Sequence, residues 1–402
     1  MAGAGLAATA LVIGATAFTV PSASALTSAS VGNPAGGSAT KPAGTATVAG
    51  WRTVPGPTVA AGASANLTAL AMAGPALGWT AGFTLASNQN APFEPLLAAW
   101  NGRRWRTIPV RLPAGDSGRL DGLAAASASD AWAVGTADVS ARSTQPLFLH
   151  WNGRQWARVP GASVPGFGYV SMLGVAIRSA TDAWAVGQAE PTGQLGVRPV
   201  IEHWNGRRWQ LMTNPAVPAM SALTSVTVAP DGQAWAVGTP FTDDGRGLVL
   251  RWTGRAWVTA ATPVTGGSVL LDGVTAVGSD NVWAVGTDSP AGGPYRPFAL
   301  HWNGRRWASV AVPHPGEGNQ SWGFEAVTST GDGDLTAVGS AGSATVGRAL
   351  YGTWNGRVWS LGTGPHITEL NAVSVDGGRA TWAVGSENTS RQSFRPVVQV
   401  SG

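Results

Sequence analysis

Beyond residue 50 the chain alternates short apolar runs with polar turns, and the same runs return about every 50 residues. One run has the form Ala-Trp-Ala-Val-Gly, with Trp at 79, 132, 184, 235, 283 and 382. In a seventh copy, Asp334-Leu-Thr336-Ala-Val-Gly339, Thr replaces the Trp. A second β-rich run stands just before it, as in Leu67-Thr-Ala-Leu70, Leu120-Asp-Gly-Leu123 and Leu271-Asp-Gly-Val274. A third ends in a pair of Trp around a turn: Trp100-Asn-Gly-Arg-Arg-Trp105, Trp151-Asn-Gly-Arg-Gln-Trp156 and four further copies that close at Trp209, Trp257, Trp307 and Trp359. Asn-Gly between apolar runs predicts a hairpin with a type I′ turn. Each unit therefore reads as four short antiparallel strands, a to d, which is one propeller blade.

Strands a, b and c occur seven times, but strand d follows strand c only six times. The chain stops after Arg395-Pro-Val-Val-Gln-Val-Ser-Gly402, a strand c without a partner. A lone d-like strand, Gly50-Trp-Arg-Thr-Val-Pro55, opens the folded region and matches Arg104-Trp-Arg-Thr-Ile-Pro109. Complementary ends predict an all-β, seven-bladed propeller over 48–402, its ring closed by the N-terminal strand pairing in the last blade.

Upstream, Leu6 to Val20 is apolar, too short to span a bilayer, and precedes Ala23-Ser24-Ala25, a small-x-small pattern. This predicts a signal peptide over 1–25, a Ser/Thr/Ala/Gly/Pro linker over 26–47, and an exported protein without a membrane span. The lack of Cys excludes disulfides, thiolate metal sites and a thiol nucleophile. Nineteen of the twenty Trp fall in the repeats, counting Trp51, so the indoles read as core. Net charge is only +4, which does not indicate nucleic acid.

These cassettes resemble the Trp-Ala-Val-Gly and His-Trp-Asn-Gly-x-x-Trp repeats of secreted propeller proteins from actinobacteria and related soil bacteria. Those are grouped with the kelch and galactose-oxidase central-domain superfamily. The resemblance covers nearly all of residues 50–402 and implies the fold, without an activity. The chain departs from kelch repeats in having one Gly after strand b, and from WD repeats in lacking Gly-His and Trp-Asp. No Asp box is present, and Tyr169, Tyr295 and Tyr351 match no sialidase motif.

Arg103, Arg154, Arg207, Arg255, Arg305 and Arg357 fill one position in all six hairpins. They read as guanidiniums stacked between indoles, with a basic ring for a polyanion as the functional alternative. His150, His203 and His301 recur before the hairpin Trp and read as structural. Asp130 and Asp182 read as Asx-turn residues closing the a–b loop.

Alternating strand direction puts the short a–b and c–d turns on one face and the long, variable b–c and d–a loops on the other. That loop face is the expected site. Trp322, outside the repeat, reads as a channel plug or a ligand-stacking platform. His314 and His366 lie in neighbouring d–a loops. The second position of strand a reads Thr68, Asp121, Leu173, Thr224, Asp272, Glu325 and Asn371, placing three carboxylates near the axis. Arg198, Arg246, Arg296, Arg348 and Arg395 form a basic arc where strands c start. The ligand candidates are Trp322, Arg296, Arg348, His314, His366, Asp121, Asp272 and Glu325, with no catalytic set, no metal site and no cofactor. The expected function is a monomeric, non-enzymatic module binding an extracellular glycan, cell-wall polymer or protein. The alternative is a polysaccharide hydrolase or lyase using the axial carboxylates and a loop histidine.

Overall fold

The computed structural model describes residues 50–86, 92–140, 143–193, 196–218, 220–241, 245–290, 293–314, 320–331, 333–343, 346–364, 368–378, 380–390 and 393–402. The signal-peptide and linker expectations lie outside the described residues. The described chain forms seven four-stranded antiparallel sheets and no helix. In the first blade strand a is Ser64–Gly74, b is Leu77–Leu85, c is Glu94–Trp100 and d is Trp105–Ile108. Five further blades repeat this order over 117–159, 167–211, 222–259, 267–310 and 321–363.

Strand a of each blade packs on strand a of the next, and the first packs on the last, so these strands line the axis of a ring. The seventh blade holds Thr368–Val375, Thr381–Ser390 and Ser393–Ser401 as strands a to c. Its fourth strand is Trp51–Val54, which runs antiparallel to strand c with Trp51 opposite Ser401 and Val54 opposite Val398.

The Trp repeat is explained between blades rather than within them. The strand-b Trp of one blade receives both hairpin Trp of the next. Trp132 takes Trp204 at 4.9 Å and Trp209 edge-on at 5.0 Å and 81°. The same trio recurs around Trp79, Trp184, Trp235, Trp283 and Trp382. Tilted and edge-on rings are the arrangement that aromatic quadrupoles favour. Each trio joins residues about one and a half repeats apart, or, for Trp382 with Trp100 and Trp105, the two ends of the folded region.

The hairpin differs from the expected turn. Trp100 lies opposite Trp105, leaving a four-residue connection in which the Asn101 N–H donates to the Arg104 carbonyl. Only Gly102 has positive φ there, at 82°, so the turn is not type I′. The Asn101 Oδ1 instead accepts from the N–H groups of Arg103 and Arg104 at 3.2 and 3.0 Å. This side-chain carbonyl replaces the second left-handed residue as the device that closes the loop.

Two other readings of repeated residues are corrected. The six hairpin arginines are exposed, so they do not stack between indoles. That role falls to Arg251, 5.8 and 5.9 Å from the rings of Trp235 and Trp302. Arg251 occupies the strand position that His150, His203 and His301 hold elsewhere. His150 stacks on Trp132 at 4.3 Å, with Nε2 2.9 Å from Asp130. His203 reaches Asp182 at 2.8 Å, and His301 reaches Asn281 at 3.0 Å. Asp130 and Asp182 thus anchor a histidine of strand c instead of closing the a–b loop.

Candidate functional site

The axial positions owe their geometry to a backbone irregularity. In every blade the pairing of strands a and b slips at one equivalent point (in most blades at others too), as between Leu67/Ala69 and Leu271/Gly273. The extra residues are Thr68, Asp121, Leu173, Thr224, Asp272, Glu325 and Asn371. A bulge bends the strand and re-aims one side chain. It also brings strand a against the Gly of the Trp-Ala-Val-Gly run. A Cβ on Gly135 would overlap the Arg119 carbonyl oxygen, and one on Gly286 the Leu270 oxygen. Thr68 Oγ1 donates to Leu120 of the next blade at 2.7 Å, Thr224 Oγ1 to Leu271 at 2.6 Å, and Asn371 Nδ2 to Leu67 at 3.0 Å. The bulge position is therefore a link between neighbouring blades.

The carboxylates at this position divide into two kinds. Asp121 is buried beside Arg119, whose Nε lies 3.1 Å from it. Burial raises its pKa, and Arg119 opposes the rise. Asp272 and Glu325, on blades five and six, have no such cation. Burial pushes Asp272 up to about 7. Glu325 is held well above the carboxylate range by burial and by the charges of Asp272 and Glu369. Glu369, on blade seven, is raised by burial and accepts from Ser386 at 2.8 Å. Sequence reasoning missed Glu369 because it precedes the bulge by two positions and has no recurring counterpart. Three carboxyl groups on adjacent blades thus all have their charged forms disfavoured by burial.

Among the described residues the loop face adds no histidine to them. His314 is half-buried, and its pKa is lowered by burial and by Arg296. The charges acting on Glu325 are those of Asp272 and Glu369, not of a base. His366 lies outside the described residues. Trp322 is 7% exposed, packed with Trp283, Phe324 and Leu350 in the core of blades five and six. It fills the buried position that Ala65, Val170, Ser221 and Val269 occupy elsewhere. Burial among core side chains of two blades leaves little of the ring for a stacking platform. The arginine arc is partly neutralised: Arg395 pairs with Glu387 at 2.6 Å, Arg246 donates to the Thr262 carbonyl, and Arg296 stands opposite Asp288. Arg198 and Arg348 are exposed and form no ion pair among the described residues. Nor, among the described residues, does any group of three His, Asp or Glu suit a metal ion.

The loop face has a second locality, at blades three and four. A cleft of about 350 Å³ is lined by Arg198, Pro199, Asn214, Pro215, Ala216 and Val217. Beside it the Ser221 N–H donates to the Val197 carbonyl at 3.1 Å. The next residue back, Met220, is 40% exposed with φ of 64°. Phe241, 37% exposed with φ of 44°, leaves the partner strand at the matching distance, since Ala222 pairs with Thr239. Val264, 58% exposed, is in the following d–a loop, where Thr265 N–H bonds the Gly245 carbonyl. Positive φ at a bulky residue costs of order 1–3 kcal/mol and marks functional sites. Neither exposure nor φ leaves a mark in the sequence, so this locality was not anticipated.

No family model and no curated protein matches the chain. Solved structures do. One described as YCF48 bound to D1 peptide is 14% identical over 89% of this chain and 98% of its own, with TM-score 0.53. YCF48 from Cyanidioschyzon merolae is 14% identical over 88% and 98%, with TM-score 0.54. A protein of unknown function from Dyadobacter fermentans is 8% identical over 88% and 99%, with TM-score 0.50. At these identities the likeness is one of fold: the chain is a β-propeller built like theirs over nearly its whole described length.

Proposed function

We propose that the chain is an exported, non-enzymatic binding module that takes a protein partner on its loop face at blades three and four. The observation that carries this reading is the exposed trio Met220, Phe241 and Val264, two of them with left-handed backbone, beside a cleft that presents the unpaired Arg198. Adaptable and aromatic apolar side chains supply contact area to protein partners, and a neighbouring arginine adds a directional contact. The hydrolase or lyase alternative pairs the axial carboxyl groups with a loop histidine, and the charge acting on His314 is that of Arg296.

A photo-crosslinking residue placed at 241 or 264 in producing cells is expected to trap one discrete protein. The same probe at Val358, exposed on the hairpin face, is expected to leave that protein untouched. Adducts that are absent at 241 and 264, or identical at all three positions, overturn the proposal.

A further inference from the structure

The six hairpins leave one residue type without an internal task. Arg103, Arg154, Arg207, Arg255, Arg305 and Arg357 stand at the third loop position, whereas the next position reads Arg104, Gln155, Arg208, Ala256, Arg306 and Val358. The turn does not require arginine there. What the Asn carbonyl holds is the backbone N–H, as at Arg154 and Arg305, both at 3.1 Å. All six side chains are exposed, and none has an ion pair or ring contact among the described residues. A guanidinium started from the same place in six blades, with no ion pair or ring contact among the described residues, is available to an outside anion.

We propose that the outer rim of the hairpin face is a second binding surface, for a linear acidic polysaccharide whose carboxylates engage these arginines. Guanidinium forks match carboxylates two bonds at a time. One arginine on each of six blades around the rim suits a chain that touches several in turn, each contact making the next intramolecular. A flat anionic surface fits less well, because the a–b turns of the same face, inside the rim, carry exposed Asp231, Asp280 and Asp334. A chain that follows the rim avoids those charges, and a bilayer laid across the face does not. The sugar character of the polymer follows from the indoles at the base of the hairpins. Trp100, Trp151, Trp252, Trp302 and Trp354 are half-buried and leave part of each ring beside the arginine loop, where an apolar sugar face can lie. This surface is distinct from the loop face and stands or falls without it.

The test uses the full chain and polygalacturonate as probe. Wild type is expected to bind, and to release as salt rises from 0.05 to 0.5 M, since screening shortens the reach of exposed charges to about 4 Å. Arg103→Gln/Arg154→Gln/Arg207→Gln is expected to bind about tenfold more weakly, because three adjacent contacts of one chain are removed. Arg296→Gln/Arg348→Gln/Arg395→Gln, with the same loss of charge on the opposite face, is expected to bind as wild type does. Restoring lysine at the three rim positions recovers part of the affinity if charge is what counts. Equal losses in both triple variants reduce the effect to net charge and overturn the proposal, as does absence of binding. Phosphatidylglycerol vesicles or linear polyphosphate bound as tightly as polygalacturonate, at equal charge, overturn its linear or its saccharide part respectively.

Discussion

Trp51 stacks on Tyr351 with ring centroids 5.0 Å apart and planes 28° from parallel. This pair sits at the one blade interface that lacks the Trp trio, where the last blade meets the sixth. There the fourth strand is Trp51–Val54, and Trp51 is the one indole that it brings to the interface. The receiving strand has changed to match: Thr336 stands where six other blades have Trp, and Tyr351, bonded through its hydroxyl to Gln399, supplies the ring. The Thr of the sixth repeat thus coincides with the interface at which a Trp–Tyr stack stands in place of the Trp trio.

Removing residues 50–56 is expected to destabilise the protein severely, because strand c of the last blade becomes an open edge with unpaired ladder groups. Trp51→Ala alone should cost about 2–3 kcal/mol, the scale of a half-buried aromatic and its stacking. Removing residues 26–46 should leave the melting temperature unchanged. Equal melting temperatures for the two truncations would contradict the pairing.

Trp322→Ala is expected to destabilise by about 3 kcal/mol or more, in the range of Trp283→Ala, since both leave a cavity in one core cluster. Denaturant midpoints for the two variants decide it. A Trp322→Ala protein that melts like wild type would return the indole to the surface.

Arg251→Ala and Arg255→Ala should separate cleanly. Arg251 lies against two indoles and its loss should cost about 1–2 kcal/mol, whereas Arg255 is exposed and its loss should be neutral. Thermal melting at matched pH reads the difference.

Gly135→Ala is expected to cost more than about 2 kcal/mol, because the new methyl group meets the Arg119 backbone, which the bulge holds in place. Gly115→Ala adds a methyl to open space at positive φ and should cost only about 1 kcal/mol. The melting temperatures of the pair report whether the bulge, and not glycine as such, sets the cost.

Stability should fall as pH rises between about 4 and 7. Asp272 and Glu325 have folded-state values raised above those of the unfolded chain, near 4. Across that window the folded protein holds protons that the unfolded chain has released, so each rise in pH favours unfolding. The slope is at most about 1.4 kcal/mol per pH unit for each group. At the same bulge position Thr68, Thr224 and Asn371 donate to the next blade, which a carboxyl group does only when protonated. Asp272→Asn/Glu325→Gln keeps donors there and should flatten the profile and raise the melting temperature at pH 8. A wild-type stability that climbs from pH 4 to 7 would show that these groups ionise freely.

The strands, their fourfold grouping and the sevenfold count could be read from the chain because each rests on neighbours in sequence. Alternation sets a strand, Asn-Gly with its flanking Trp sets a hairpin, and the unequal number of d strands marks where the ends belong. The turn type was misread even so, because Asn101 closes the loop through its side chain and its backbone conformation is not written in the Asn-Gly pair. What lay beyond reach depends on residues 50 or 300 positions apart. Periodicity could place the Trp in a core but not assign each to the strand-b Trp of the preceding blade, and it could not tell Arg255, in solvent, from Arg251, between two rings. Trp322 looked exceptional in a one-dimensional repeat and is an ordinary core residue once two blades close over it. Asp272, Glu325 and Glu369 become one group only when three bulged or neighbouring positions converge at the axis. The exposed, left-handed Met220 and Phe241 exist as a pair only at the end of a folded strand ladder. Local patterns dictate which elements form; burial, pKa and exposure are set by what the ring brings against them.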